Sequence, residues 1–395
     1  MKIGIDALAI AVPEGYLELE DLAEARGAPP GKYVDGLGVR QMAVARSHED
    51  PVALAANAAR RALKQGKVDP GSIGMCIVGT ETAVDHSKAI AAWVHSLCGL
   101  PQNCRSFETK HACYGGTAGL LNALDWIASG SARGRKALVI CTDVARYRLS
   151  SPGEPTQGAG AIAMIISANP RLVELEVSVS GSYTKEVNDF WRPLHSREAY
   201  VDGRLSVQFY LDAISGAYAA WKKLNENDQP IARRLYHVPY GKMARKAHRQ
   251  VMSLEGKSEA EADRTYEVEV ARSLDLPGQI GNVYTGSLYL AFASLMNAEA
   301  SQLEGQRVAF FSYGSGCTAE FFAGTIAKGA GAFVEELAID APLRNRRRYT
   351  FKEYEAIRLA DNEADKQPVE SAQFNGEVAF AGVERDSRVY ARGIA

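Results

Sequence analysis

Residues 307–324, RVAFFSYGSGCTAEFFAG, predict two strands joined by a tight turn. The apolar run Arg307–Tyr313 is typical of a buried strand, Gly314–Gly316 permit the turn, and Thr318–Gly324 predicts the returning strand. A similar order, glycines followed by a strand, occurs at Gly158–Ser167 in the first half of the chain. The repeat favours two homologous halves, although glycine-rich turns before strands are common in unrelated proteins.

Outward from this unit, apolar strands alternate with helical segments, which indicates an α/β fold class in layers. Residues 51–65 predict a helix with Pro51 in its first turn and Asp50 as its cap. Residues 181–270 predict a mostly helical insertion, and the polar stretch 341–375 predicts a solvated loop and helix start. The other predicted elements are strands at the N-terminus, Gly74–Thr80, Lys136–Val144 and Ala159–Ser167, a helix over Leu288–Leu303, and an exposed loop over Asp361–Ser371.

Composition excludes several classes of function. The chain has 395 residues, 46% of them hydrophobic, and a net charge of -2, which gives no reason to expect nucleic acid or an anionic membrane as a partner. No apolar run reaches membrane-spanning length, and the N-terminus lacks the pattern of a signal peptide. The six cysteines form no CxxC pair and no metal signature, so we expect no metal and a reducing cytoplasm, with buried thiols at Cys76, Cys141 and Cys317.

A cysteine stands on a predicted turn at residues 110–116, KHACYGG. A strand-like segment, Cys104–Thr109, precedes the turn, and a helix-like segment, Thr117–Ser129, follows it. Cys113 would therefore lie at a helix N-terminus, where the positive end of the helix dipole favours the thiolate and lowers the pKa. From context alone, Cys113 is either a nucleophile or an inert buried thiol.

A histidine with basic neighbours follows at residues 236–242, YHVPYGK. His237 has the side chain most often used as a general acid or base near neutral pH, although a lone histidine is more often structural. Lys242, Arg245 and Lys246 would place positive charge beside His237 and suit a substrate that carries phosphate, such as coenzyme A or phosphopantetheine. Helical spacing puts the two lysines on one face.

Three further turns carry candidate site residues. Glu81 in GTET, residues 79–82, directly follows a buried strand, so poor solvation would raise its pKa and suit it to abstract a proton from carbon, or else it only caps the strand end. The turns at residues 281–288, GNVYTGSL, and 312–316, SYGSG, could each supply donors for a thioester oxyanion.

Together these motifs resemble one family, the 3-hydroxy-3-methylglutaryl-CoA (HMG-CoA) synthases of the thiolase superfamily. The resemblance extends from about residue 3 to about residue 325, and the motifs occur in the family's order. The motifs are TET at 80–82, CYGG at 113–116, EPTQGAG at 154–160, DFWRP at 189–193, VDGRLS at 201–206, HVPY at 237–240, GNVYTGSLY at 281–289 and SYGSG at 312–316.

The resemblance implies a thiolase-like fold with duplicated halves in αβαβα layers. We expect an N-terminal half over residues 1–168 and a C-terminal half over residues 169–395, the latter with the helical insertion at about 181–270. By resemblance, Cys113 is the nucleophile that takes an acetyl group, Glu81 is the general acid/base, and His237 orients the acceptor thioester and assists proton transfer.

The resemblance also implies the binding residues and partners. Asn282 and Ser315 would bind the acceptor and the oxyanion, and the remaining substrate contacts would come from Thr156, Ser206, Lys242 and Lys246. The substrates would be acetyl-CoA and acetoacetyl-CoA, with no metal or redox cofactor, in a cytoplasmic homodimer. The reaction would be the acetyl-Cys condensation that forms HMG-CoA in the mevalonate pathway.

Three alternatives stay open at this stage. A relative that acts on carrier-protein-bound chains in polyketide β-branching would use the same residues; DFWRP favours the CoA-dependent type, whereas KHAC and residues 247–249, AHR, favour the carrier-protein type. A decarboxylating ketoacyl synthase would need Cys113, His237 and Asn282 but no base at Glu81. An inactive partner subunit would be expected to lack the nucleophile.

Overall fold

The helices and strands follow the local pattern of apolar residues. The computed structural model describes residues 1–196, 198–360 and 378–392. Its strands are β1 (Ile3–Ala11), β2 (Gly15–Glu18), β3 (Gln41–Val44), β4 (Ile73–Gly79), β5 (Arg105–Thr109), β6 (Lys136–Ala145), β7 (Gly158–Ala168), β8 (Val173–Thr184), β9 (Phe190–Trp191), β10 (Tyr200–Val201), β11 (Ile231–Tyr236), β12 (Arg307–Gly314), β13 (Thr318–Ile326), β14 (Arg347–Arg348), β15 (Val378–Glu384) and β16 (Ser387–Arg392).

The helices connect these strands and cover the sheets. They are α1 (Leu19–Ala25), α2 (Val34–Leu37), α3 (Pro51–Gln65), α4 (Ile90–Leu97), α5 (Gly115–Ala128), α6 (Gly203–Leu224), α7 (Gly241–Leu254), α8 (Glu259–Glu269), α9 (Pro277–Ile280), α10 (Ser287–Leu303), α11 (Ala330–Leu337) and α12 (Phe351–Ala360). Every strand and helix predicted above as a separate element is confirmed, with bounds that differ by a few residues. None of the helices described is both long and apolar enough to span a membrane.

A nine-stranded sheet forms the centre, in the order β11-β12-β13-β8-β1-β7-β6-β4-β5. Strands β1 and β8 join its two parts through the pairs Gly4–Glu174 and Ile5–Val173. From the joint outward, β1-β7-β6-β4 pair antiparallel, antiparallel and parallel, and β8-β13-β12-β11 repeat that sequence of senses. This repeat supports the duplication, while the division at residue 168 stays a prediction.

Helices pack on both parts of the sheet. Helix α3 contacts β1, β6 and β7, and α5 contacts β4, β5 and β6, while α6 contacts β8 and β13 and α10 contacts β11 and β12. The alanine-rich helix α3 begins at Pro51, and the Asp50 side chain accepts a hydrogen bond from the Ala53 backbone N–H at 2.8 Å. The small side chains of α3 let the helix lie close to the sheet, which keeps the first part of the sheet buried.

The parallel strands bring the candidate site residues to one edge of the sheet. Glu81 follows β4, Cys113 follows β5, and β6, parallel to β4, carries Asp143 near its end. His237 follows β11, and β12 beside it runs parallel and ends at Gly314. Because carboxyl ends of parallel strands meet at the same edge, each half contributes its loops to a common rim.

Two predictions about whole segments need correction. The stretch 181–270 contains α6, α7 and α8 but also β11, which is hydrogen-bonded into the central sheet, so the stretch is not an insertion throughout. The stretch 341–375 is only partly solvated, because Tyr349 and Tyr354 are buried in a second apolar cluster with residues of β2, β3 and α1. The predicted loop Asp361–Ser371 lies outside the described residues.

Candidate active site

The Cys113 thiol and the Glu81 carboxylate are in direct contact. Cys113 lies two residues before α5, on a turn in which Ala112 adopts a positive φ of 40°. Its Sγ donates a hydrogen bond to Glu81 Oε1 at 3.1 Å. Both side chains are half-buried, which limits their contact with water. The structure thus places two of the predicted catalytic residues together.

The ionisation of this pair differs in part from the sequence-based expectation. Burial and the nearby Asp143 carboxylate raise the pKa of Glu81 to about 8, as expected for a base after a buried strand. The expected lowering of the Cys113 pKa is wrong: burial raises it well above its ordinary value, and the negative charges of Glu81, Asp143 and Asp189 add to that effect. These contributions outweigh the dipole of α5, so the free enzyme holds a neutral thiol beside a base.

Asp143 organises the loops around this pair and was not singled out from the sequence. Fully buried near the end of β6, it accepts hydrogen bonds through Oδ1 from the Glu81 backbone N–H at 2.9 Å and from the Thr82 hydroxyl at 2.8 Å. Its Oδ2 accepts from the Thr285 backbone N–H at 3.0 Å. The sequence did contain a signal for Asp143. A carboxylate at the end of an apolar strand is as unusual at Asp143 as it is at Glu81.

Aromatic side chains enclose the sulfur. Tyr147 and Tyr284 are buried in one apolar cluster, against which Cys113, Phe190 and Ala199 pack. The ring of Phe190 contacts the edges of Tyr147 and Tyr284, with centroids 6.4 and 5.9 Å apart. These rings surround the thiol on one side, and we call this surround the aromatic chamber. Tyr284 lies inside the GNVYTGSLY motif and Tyr147 lies outside the recognised motifs, and neither carried a sequence signal that tied it to Cys113.

His237 is buried at the end of β11. Its backbone N–H donates to the Phe311 carbonyl at 2.8 Å, and its carbonyl accepts from the Tyr210 hydroxyl at 2.8 Å. Its ring lies 6.5 Å from the Tyr313 ring, centroid to centroid. Burial alone lowers the pKa of His237 to about 3, so the imidazole is neutral at physiological pH. The expected influence of basic neighbours on this histidine is therefore not seen.

The glycine-rich turn after β12 lies directly against the Cys113 turn. A β-carbon on Gly314 would lie 2.5 Å from the His111 carbonyl oxygen and 2.6 Å from the Tyr114 backbone nitrogen, so only glycine permits this approach. Asp189 holds the turn from the other side, since it accepts from the Tyr313 hydroxyl at 2.9 Å and from the Gly316 backbone N–H at 3.0 Å. Ser315, between these contacts, lies at the rim of the site.

Asn282 is also buried at this rim. Its Oδ1 accepts hydrogen bonds from the Tyr284 backbone N–H at 2.9 Å and the Ser287 hydroxyl at 2.8 Å. These bonds fix the amide so that its NH₂ group is the part left to donate to a ligand. Gly158 lies against the Asn282 backbone, where a β-carbon would come within 2.6 Å of the nitrogen. This contact ties the EPTQGAG motif to the second half of the chain.

The four remaining predicted binding residues have different surroundings. Thr156 hydrogen-bonds to the Tyr147 side chain and thereby borders the aromatic chamber. Ser206 is half-buried on α6, and Lys242 and Lys246 are exposed on α7. Within the described parts of the chain, no hydrogen bond joins these last three side chains to Cys113.

Arg245, predicted to add free positive charge, does not do so. Its guanidinium donates to Asp263 and Glu267 of α8, which neutralise it. His248 on the same helix is fully buried and hydrogen-bonds to the Tyr236 hydroxyl and the Thr265 hydroxyl. The AHR motif at residues 247–249 is therefore explained by packing within the chain.

One cluster elsewhere has the composition of a metal site. Ligand-type atoms of Glu14, His48 and Glu49 lie within 4.8 Å of one another. The two carboxylate oxygens of Glu49 already accept from the backbone N–H groups of Glu14 and Arg46, at 2.7 and 2.9 Å. Hydrogen bonding within the chain accounts for this cluster, and we assign no metal to it.

Comparison with known proteins identifies the family. The family model described as "Hydroxymethylglutaryl-coenzyme A synthase N terminal" matches residues 1–171, and the corresponding C-terminal model matches residues 173–269 and 252–374. The hydroxymethylglutaryl-CoA synthase of Enterococcus faecalis is 40% identical over 358 residues, which cover 90% of this chain and 91% of the relative.

Solved structures agree with this result. The structure of MvaS in complex with 3-hydroxy-3-methylglutaryl coenzyme A matches with a TM-score of 0.95 and 45% identity, over 100% of this chain and 99% of that one. The HMG synthase of the curacin biosynthetic pathway, in complex with holo donor-ACP, matches with a TM-score of 0.93 and 31% identity over 99% of this chain and 100% of that one. The chain therefore belongs to the hydroxymethylglutaryl-CoA synthase family and has its thiolase-like fold.

Proposed function

We propose that this protein condenses acetyl-CoA with acetoacetyl-CoA to form HMG-CoA through an acetyl-Cys113 intermediate. The observation that carries the proposal is the hydrogen bond of 3.1 Å between Cys113 and Glu81 inside an aromatic chamber. A neutral thiol with a base in contact can form an acyl-enzyme, and the same base can then act on the methyl group of the acetyl unit. The identity of the two substrates is proposed from membership of the family.

The first half-reaction follows from this contact. Cys113 attacks the thioester carbonyl of acetyl-CoA while Glu81 takes the thiol proton, the C–S bond to coenzyme A breaks, and the proton goes to the departing thiolate. The backbone N–H groups of Cys113 and Ser315 would stabilise the oxyanion, which is supported by the close packing of their two turns. Glu81 is then ionised again and lies beside the new acetyl group.

The second half-reaction forms the carbon–carbon bond. Glu81 removes a methyl proton from acetyl-Cys113, and the carbanion attacks the ketone of acetoacetyl-CoA, whose oxygen becomes a hydroxyl with that proton. Neutral His237 and the Asn282 amide would hydrogen-bond to the acceptor, a role supported by the buried positions of both side chains and by the internal bonds that orient the amide. Water then cleaves the thioester at Cys113, which restores the thiol and releases the product.

The proposal extends to the coenzyme and the assembly. Exposed Lys242 and Lys246, one turn apart on α7, suit the phosphates of coenzyme A. We propose a cytoplasmic location because the cysteines are free thiols, and a homodimer by resemblance. The reaction as written uses CoA thioesters as substrates and calls on no cofactor.

Incubation of the purified protein with acetyl-CoA, followed by intact-mass and peptide mass spectrometry, tests the first half-reaction. We expect a single acetyl group on Cys113 in the wild type, and the same adduct, formed more slowly for want of the base that takes the thiol proton, in Glu81→Ala. Addition of acetoacetyl-CoA should give HMG-CoA in the wild type only. Absence of the adduct from the wild type would favour an inactive subunit, and condensation by Glu81→Ala would favour a decarboxylating synthase.

A carrier-protein acceptor is the second candidate, favoured by the similarity to the curacin synthase solved with donor-ACP. The AHR motif at residues 247–249 had favoured the carrier-protein type. Packing within the chain explains this motif, so the motif does not support a carrier-protein acceptor. Side-by-side rates with acetoacetyl-CoA and acetoacetyl-carrier protein separate the two candidates. We expect the higher kcat/KM with free acetoacetyl-CoA.

A further inference from the structure

A short hairpin covers the chamber of Cys113. Strand β9 pairs with β10 through Trp191–Tyr200 and Phe190–Val201. Phe190 packs toward Cys113, whereas Trp191 stacks on Tyr200 at the surface and is 43% exposed. Successive side chains of an extended segment point to opposite sides. If this alternation continues one residue past β9, Arg192, which is half-buried, lies on the same side as Phe190.

Arg192 is a half-buried arginine that no other described side chain pairs with. Its guanidinium takes part in no hydrogen bond or ion pair with any residue that the structure describes, unlike Arg245 and Arg249 on α7, which are paired with acidic residues of α8. Its positive charge acts on Glu81, whose pKa it lowers against the effect of burial. Arg192 therefore lies close enough to Glu81 for its charge to act there, while Lys242 and Lys246 are exposed on α7.

The proposed reaction creates a negative charge at this point. When water attacks the thioester at Cys113, a C–O bond forms, the C–S bond breaks, the sulfur keeps one proton of the water, and the other proton leaves as the carboxylic acid ionises. The new carboxylate arises next to the sulfur, which lies 3.1 Å from the Glu81 carboxylate. With Asp143 behind Glu81, three carboxyl groups would meet in a poorly solvated place, where a nearby cation would stabilise the new negative charge.

We infer that Arg192 binds the carboxylate that hydrolysis releases from Cys113 and so forms the product-side anion subsite. The inference rests on the proposed function, because only a thioester attached to Cys113 yields a carboxylate at that place. Arg192 is suited to the task, since a guanidinium presents two parallel N–H donors to a carboxylate. The other binding residues named above would contact neutral or phosphate groups.

Two product analogues test the inference by equilibrium binding. HMG-CoA carries the carboxylate, and 3-hydroxy-3-methylbutyryl-CoA has a methyl group in place of its carboxymethyl group. We expect the wild type to prefer HMG-CoA by roughly ten- to a hundredfold, the scale of one charge-assisted contact. Arg192→Gln should abolish the preference, Arg192→Lys should keep part of it, and Arg264→Gln, which removes an exposed arginine of α8, should leave it intact.

The outcomes separate the inference from the proposed function. Equal weakening of both analogues by Arg192→Gln, an unchanged preference in that variant, or no preference in the wild type would overturn the assignment of Arg192. Failure of the wild type to make HMG-CoA from its two substrates would instead overturn the proposed function. Circular dichroism of each variant identifies a folding defect. If Arg192→Gln is misfolded, the ratio of the affinities of Arg192→Lys for the two analogues decides.

Discussion

At the scale of single residues, two carboxylates set the charge of the Cys113 pocket. Glu81 contacts the sulfur, and Asp143 lies behind it, with hydrogen bonds to the backbones of Glu81 and Thr285. Their mutual repulsion and burial keep the pKa of Glu81 at about 8. The base is therefore strong enough to remove a proton from carbon and is still largely ionised in mildly alkaline solution.

The first prediction concerns the pH dependence of proton abstraction by Glu81. The base form is required, so the rate of deuterium exchange into the methyl group of acetyl-Cys113 should rise with pH and level off above about 8. Asp143→Asn removes a charge that raises this pKa, so the rise should move to lower pH. The plateau should fall roughly 10- to 100-fold, because the Glu81 loop loses its anchor.

Asp125→Asn serves as the matched control, since Asp125 is an exposed carboxylate on α5. Its profile should coincide with that of the wild type. A profile of Asp143→Asn that keeps the wild-type midpoint would show that Asp143 does not act on the charge of Glu81.

At the scale of elements, the C-terminal hairpin is fastened to helix α3 through its cap. Asp50 Oδ1 accepts from the Ala53 backbone N–H, and its Oδ2 accepts from Arg388 at 2.9 Å and from the Tyr390 hydroxyl at 2.7 Å. The Asn57 side chain exchanges two hydrogen bonds with the Val378 backbone. One buried carboxylate thus caps a helix and anchors a hairpin more than 300 residues away in sequence.

The second prediction is a stability loss in Asp50→Ala. The variant loses a helix cap and leaves the half-buried Arg388 without one of its acceptors, which should cost about 2–4 kcal/mol of unfolding free energy. Asp69→Ala, which removes an exposed cap of a single turn, should cost less than about 1 kcal/mol. Urea unfolding followed by circular dichroism compares them, and equal losses would contradict the double role of Asp50.

At the scale of the whole molecule, a narrow joint connects the two parts of the central sheet. Gly4 of β1 lies against β8, where a β-carbon would come within 2.0 Å of the Val173 carbonyl oxygen. Within the part of the chain that the structure describes, β1 and β8 pair at Gly4–Glu174 and Ile5–Val173. This joint, the turn contacts and the hydrogen bonds between Asp143 and Thr285 together hold the loop that carries Cys113 and the loops that carry Asn282 and Ser315 in their relative positions.

The third prediction is that Gly4→Ala destabilises the molecule. The added methyl group has no space beside β8, so the joint must shift at a cost of about 1–3 kcal/mol, and the condensation rate should fall because the two sets of loops move apart. Gly36→Ala, at a position with no heavy atom within 4 Å of the new methyl group, should be neutral or slightly stabilising. Unchanged thermal unfolding of Gly4→Ala would contradict the role of the joint.

The sequence by itself determined the elements and the residue types of the site. Apolar runs and glycine turns are local patterns, which is why the strands around Gly314 and the helix after Cys113 were predictable, and the order of motifs indicated the family. Only the tertiary structure decided how these residues ionise and with which groups they pair. It made Cys113 a neutral thiol, brought in Asp143 from 62 positions beyond Glu81, neutralised Arg245 and brought the charge of Arg192 to bear on Glu81. The physical reason is that a pKa depends on excluded water and on charges supplied by segments remote in sequence, neither of which a local pattern contains.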